Sequence, residues 1–238
     1  MNNNSTSYLN KKLVIGIASG SAITVIVLVL FFFTPSEMMF NEIGFIEKQD
    51  ENNPVVAEIN DKKIRLDDVQ NEVNMQISQG QTIDRITALD RMIAKILLLE
   101  EAQARNISIT IAEVEDEITS MYVQSGLSQA QFEEKLKEIG ITYEQTLEMY
   151  QEELIINKML ADEVSKAEIQ ISDEEARLVF DENKDVILSQ VGNSTVFEDV
   201  SSQIKITLLQ QKQQKIALDI IEHLKEKSVV ITYEDRLQ

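Results

Sequence analysis

The stretch VVAEINDKKIRLDDVQNEV, residues 55–73, packs a β-branched run, a polar turn and the start of an amphipathic helix into nineteen residues. VVAEIN (55–60) turning through Asp61 and Lys62 into KIR (63–65) predicts a short hairpin. Leu66, Val69, Val73 and Ile77 then recur at intervals of three or four, which is one face of a helix. A two-stranded hairpin alone is marginal in water, so a third strand is expected to complete it. VVITYE, residues 229–234, supplies one from the far end of the chain. The two ends of a domain covering 54–238 are therefore expected to meet.

Between those ends the punctuation is helical. After Pro54 there is no proline, and the only glycines are Gly80, Gly126, Gly140 and Gly192. The first three each follow an amphipathic run, where a left-handed residue closes a helix. Ile111, Val114, Ile118, Met121 and Tyr122 precede Gly126, and Phe132, Leu136 and Ile139 precede Gly140. Helix starts are marked by Asp67 with Gln70, Thr110 with Glu113, Ser128 with Gln131, Thr142 with Gln145 and Ser172 with Glu175, each a capping box or a close variant. Ile86, Leu89, Ile93, Ile96, Leu97 and Ala104 line a longer helix, and its quartet Ile96–Leu97–Leu98–Leu99 makes it apolar nearly all round, hence central. Tyr143, Leu147, Tyr150, Leu154 and Met159 line another. A last helix is predicted from about Val196 to Lys227, with Val200, Ile204, Leu208, Ile216, Ile220 and Leu224 on one stripe and a middle, LLQQKQQK, polar on most faces, that is either solvated or bridges between packed regions. Ile169–Ile171 fits either a strand or an extended linker. The fold class is mainly α with a small sheet.

All 41 acidic residues of the 238 lie after Phe33, against 20 of the 22 basic ones. A surface this acidic opposes phosphate backbones, so nucleic acid is not an expected partner. There is no Cys, which excludes disulfides, thiolate metal sites and cysteine nucleophiles, and one histidine, His223, which leaves little for a triad or a zinc site. His223 stands beside the apolar stripe near a helix C-terminus, and with no partner residues for chemistry it reads as a structural residue rather than a site. Asp181, Asn183 and Asp185 open like a calcium loop, but Val186 stands at the glycine position and Gly192 at the closing glutamate. Carboxylates spaced like Glu113 and Glu117 belong on solvated helix faces in so acidic a chain. No catalytic residue, cofactor or metal is expected. Asn106-Ile-Ser and Asn193-Ser-Thr fit the glycosylation pattern.

From Leu13 to Phe33 run 21 residues without a charge, and at about 1.5 Å per residue they match a hydrocarbon core of roughly 30 Å. Lys11 and Lys12 precede them, so residues 1–12 are expected inside and everything after Phe33 outside. A cleaved signal peptide would have a shorter apolar core and a small-residue site, which FFFTPSE does not provide. Residues 34–53 read as a stalk. Gly16 with Gly20 makes a GxxxG pair through which two anchors could form a homodimer.

Taken in order, residues 55–73, ALDRMIAKILLLEEAQARNISITIAEVEDEI (88–118), FEEKLKEIGITYEQTLEMYQEELIINKML (132–160) and ISDEEARLVFDENKD (171–185) resemble the N-terminal chaperone module of the SurA family, shared with PrsA-type and PpiD-type foldases. The resemblance covers about 54–184, residues 196–234 look like the family's C-terminal return segment, and the anchored layout is similar to PpiD-type members. In the enzymatic members a parvulin prolyl isomerase domain, of about a hundred residues, would fall between Asp185 and Val196; here only VILSQVGNST lies there. The resemblance therefore implies a membrane-anchored, extracytoplasmic holdase for unfolded or newly secreted polypeptides, without prolyl isomerase activity; a structural or assembly factor with one dedicated membrane partner is the alternative. Holding needs adaptable apolar contacts, which methionine and aromatic side chains supply. Met121, Tyr122, Phe132, Met149 and Tyr150 are the candidate peptide-binding residues. If Gly16 and Gly20 form a helix contact, the double variant Gly16→Leu, Gly20→Leu loses a crosslinked dimer given by the parent chain; an unchanged oligomeric state removes the contact.

Overall fold

The computed structural model describes residues 53–238 except 79, 139 and 192–195. The expected anchor, residues 13–33, lies outside the described residues, as do the Gly16–Gly20 contact, Asn193 and all but the end of the stalk. Among the described residues no helix is long and apolar enough to cross a membrane.

The fold is mainly helical with one three-stranded sheet. In chain order it runs β1 (Val55–Ile59), β2 (Lys62–Arg65), α1 (Leu66–Ser78), α2 (Arg85–Ala104), α3 (Ile111–Gln124), α4 (Gln129–Glu138), α5 (Tyr143–Lys166), α6 (Asp173–Glu182), α7 (Lys184–Val191), α8 (Phe197–Lys227) and β3 (Val230–Thr232), ending in a 3-10 turn, Glu234–Leu237. β1 is central, antiparallel to both neighbours in the order β2-β1-β3. The terminal strand thus completes the sheet, pairing Ala57 with Thr232 and Ile59 with Val230. Two compact units form, one from the described residues up to Glu163 together with Ala217–Gln238, the other from Val164–Ile216.

In the first unit α2 is the core helix. Ile96, Leu97 and Leu98 are buried against strand residues Val56, Ala57, Ile59 and Ile64, α5 residues Ile156, Met159 and Leu160, and Leu224 of α8. In the second, Ala176, Phe180, Ile187, Phe197, Val200, Ile204 and Leu208 form a separate core. No residue of α8 between Leu208 and Leu224 is buried; in its polar middle Gln210, Gln211 and Lys215 are exposed, while Lys212, Gln213 and Gln214 are half-buried and Lys212 donates to the Glu175 carboxylate at 3.0 Å.

Helix ends follow the sequence closely. Gly80, Gly126 and Gly140 have φ of 79°, 73° and 80°. At each, two backbone bonds close the helix in a Schellman motif, for example Gly126 N–H to the Val123 carbonyl at 2.9 Å and Leu127 N–H to the Tyr122 carbonyl at 2.9 Å. Asn106 closes α2 in the same way with φ 56°, so this glycosylation-pattern asparagine has a structural role. Thr110–Glu113, Ser128–Gln131 and Thr142–Gln145 each exchange bonds in both directions, and the Ser172 hydroxyl accepts the Glu175 N–H.

Four expectations are corrected. The hairpin turns at Asn60 and Asp61, with Asn60 at φ 50°, rather than through Lys62. Asp67 and Gln70 form no capping box: the helix already starts at Leu66, Asp68 accepts the Arg65 N–H, and Gln70 binds the Arg85 guanidinium. The buried stripe of α1 is Val69, Glu72, Val73 and Gln76, with the Gln76 amide donating to the Glu72 carboxylate at 3.0 Å, which turns Ile77 outward to 55% exposure. Ile86 and Ile111, also placed on apolar stripes, sit in first helical turns and are about half exposed. The ambiguous Ile169–Ile171 is a linker, and the first part of the short gap 186–195, up to Val191, belongs to α7.

Leu98→Ala should lower stability by about 2–5 kcal/mol, because the site is sealed and the cavity remains. Val123→Ala, at an exposed position, should change it by less than about 0.5 kcal/mol. Urea unfolding followed by circular dichroism separates the two.

Candidate functional site

α3, α4 and α5 build a small helical lobe whose core is distinct from that of α2. Val114, Ile118 and Tyr122 of α3 meet Phe132 and Leu136 of α4 as the lobe's buried hydrophobic residues, and Thr146 of α5 is buried beside them. Around them lie the half-buried Ile109, Met121, Leu127, Tyr143, Leu147, Tyr150 and Leu154. The lobe therefore has more apolar wall than core. Each half-buried side chain keeps carbon in contact with water, and covering that surface gains roughly 25 cal/mol per Å².

The local sequence explains the arrangement. Capping boxes fix all three helix starts, and the Gly126 and Gly140 caps turn the chain sharply between them. Tyr143, Leu147, Tyr150 and Leu154 are spaced to share one face of α5. Gln151 of α5 donates to the Ile109 carbonyl at 2.7 Å and Lys158 to the Ser108 carbonyl at 3.0 Å, which tie that helix to the approach of α3.

The candidate peptide-binding residues divide. Tyr122 and Phe132 stack on each other at 5.4 Å between centroids and are each 9% exposed, so they hold the lobe together rather than face a ligand. Periodicity places them on the inner face without saying which neighbour covers them. Met121 and Tyr150 are half-buried and touch, the phenol donating to the Met121 sulfur. Met149 is half-exposed and belongs to none of the three buried clusters. Of the other helical methionines, Met92 and Met159 belong to the core around α2.

Electrostatics in the lobe are acidic. Burial, reinforced by the charge of Glu153, pushes the Tyr150 phenol up to about 12. It therefore stays protonated and transfers no proton near neutrality. Burial also raises the Tyr143 phenol, with Glu115 adding to the shift. Glu153 itself is raised by burial, opposed by the positive charge of Lys95. Lys95 is closed onto Glu152 at 2.5 Å. One buried cation thus faces two acids. The sequence reading missed Glu153 as a site residue because it is one of 41 acids; only the fold sets it beside Tyr150.

Other candidate chemistry is absorbed by the fold. Asn183 is the C-cap of α6, donating to the Val179 carbonyl, and α7 begins at the next residue, so no calcium-type loop forms from Asp181. His223 is exposed on α8. Among the described residues no group of three or more His, Asp or Glu is placed to hold a metal.

Since its folded-state pKa is raised, the Glu153 carboxylate costs stability as pH rises through that value, and below the unfolded value near 4.5 this contribution is absent. Glu153→Gln should raise Tm at neutral pH, with the gain disappearing in acid. Thermal melts across pH 4 to 8 check the sign.

Known proteins place this architecture. A family model described as the SurA-like N-terminal domain matches residues 16–160. A foldase protein PrsA from Caldanaerobacter subterraneus subsp. tengcongensis is 34% identical over 97 residues, 41% of this chain, and the match spans 26% of that foldase. A solved structure from the Campylobacter jejuni pair PEB4 and Cj1289, described as structurally related SurA-like chaperones, superposes with a TM-score of 0.58 at 16% identity, covering 75% of this chain and 98% of that one. On the family match, which takes in more than half of its length, the chain belongs to the SurA-like N-terminal domain family.

Proposed function

We propose that the chain is a chaperone that holds unfolded or newly secreted polypeptides at the outer face of the cytoplasmic membrane, tethered there by residues 13–33. It does so without prolyl isomerase chemistry of its own. The observation that carries this reading is the lobe of α3–α5, where a five-residue core is ringed by seven half-buried apolar side chains. Two kinds of side chain suit it to varied clients. The thioether of Met121 is polarizable and repacks easily, and the Tyr150 ring offers a broad apolar face with one polar tip. A family known for chaperones and foldases fits the same use, as do the names of the PrsA and SurA-like relatives.

The acidic surface has a part in this function. All 41 acids lie on the side of the chain after Phe33, and like charge keeps chaperone–client complexes apart in solution. Binding that relies on dispersed apolar contacts and partial exposure is weak and broad, which suits release without nucleotide.

The full chain in lipid nanodiscs, added in a few-fold excess over a chemically unfolded secreted protein, should suppress aggregation measured by light scattering. It should leave the isomerisation rate of a proline peptide unchanged. Undiminished aggregation overturns the chaperone reading, and accelerated isomerisation overturns the absence of enzymatic activity.

A further inference from the structure

The α3–α5 lobe pairs its open apolar wall with a charge imbalance that narrows its clients. Between Ile111 and Leu154 there are 11 acidic residues and two basic ones, Lys135 and Lys137, both in the last turn of α4. The acids act on the same side chains that form the wall: Glu115 and Glu133 on Tyr143, and Glu153 on Tyr150. Among the described residues Glu153 makes no hydrogen bond or ion pair of its own, because Lys95 is engaged by Glu152. It is half-buried, one helical turn from both Met149 and Tyr150.

We infer that the lobe selects unfolded segments in which Lys or Arg recurs among bulky apolar residues, with Glu153 receiving one client cation beside Met149 and Tyr150. The inference rests on the chaperone reading and adds its client class. Charge complementarity is the argument: an incoming cation fills the electrostatic deficit left by two acids sharing Lys95, while its apolar neighbours cover the wall. Spacing agrees. Tyr143 and Tyr150 are seven residues apart on α5, or about 10 Å along the helix at 1.5 Å per residue. An extended client covers the same distance in about three residues. Basic residues three apart, separated by apolar ones, would therefore meet Glu153 at one end of the strip and Glu115 with Glu133 at the other.

The test uses three fluorescein-labelled peptides, (Lys-Leu-Phe)4, (Ser-Leu-Phe)4 and (Glu-Leu-Phe)4, and the full chain in zwitterionic nanodiscs, read by anisotropy with empty nanodiscs subtracted. The lysine peptide should bind about ten-fold more tightly than the glutamate peptide and lose that advantage between about 50 mM and about 500 mM salt. Glu153→Gln should weaken the lysine peptide about three-fold and leave the serine peptide unchanged, a split that mere loosening of the lobe would not produce. Equal binding of all three peptides overturns the charge selection and leaves the chaperone reading standing. Binding of none overturns both. A lysine preference untouched by Glu153→Gln overturns the assignment to Glu153.

Discussion

The antiparallel pairing of β1 with β3 joins segments about 170 residues apart, and the rest of the larger unit depends on it. Asn60 is its clasp: its N–H donates to the Val229 carbonyl at 2.8 Å, its side-chain oxygen accepts the Val229 N–H at 3.1 Å, and its amide nitrogen donates to Glu100 of α2 at 2.7 Å. Tyr233 N–H to Val56 and the Arg236 guanidinium to the Val55 carbonyl continue the closure. Arg85 binds Gln70 and the Leu237 carbonyl, adding α1 and α2 to the same knot. With the returning segment fixed, Leu224 and Leu237 reach the core built on α2, and the hairpin gains the third strand it needs.

That closure leaves the α3–α5 lobe a core of its own. Its five buried hydrophobic side chains do not belong to the cluster around Leu98, so the lobe's apolar wall can stay partly open while the α2 core supplies stability. Local stability is uneven across a structure, and surfaces that adapt to ligands come from its looser parts. The chemistry fits a binding surface better than a reactive one. The Tyr150 phenol is held protonated, and Glu153 is raised by burial beside a lysine already engaged elsewhere.

Much of the fold was legible because helix ends carry local signals. Glycine at φ near 80° and reciprocal Thr–Glu or Ser–Gln bonds need only neighbours in sequence, and they stand where the sequence puts them. The β3 return was legible from the instability of a lone hairpin. What failed depends on tertiary partners. Gln76 displaces Ile77 from the buried stripe because Glu72 can pair with it, and nothing in the period of hydrophobic residues distinguishes those two rotations. Tyr122 and Phe132 look like Met121 and Tyr150 in sequence; stacking across α3 and α4 separates them. Glu153 carries no local mark at all, since its meaning lies in Lys95 from another helix being closed onto its neighbour Glu152.

The central claim is that the wall of this lobe grips many unfolded chains. Photo-crosslinking in cells from a benzoylphenylalanine placed at Met149, a half-exposed position beside Tyr150, measures it most directly. The account predicts a broad spread of crosslinked secreted proteins, and far fewer from the same probe at the exposed Leu178 of α6. A single stoichiometric product from position 149 would contradict it and identify a dedicated assembly partner instead; so would an absence of products.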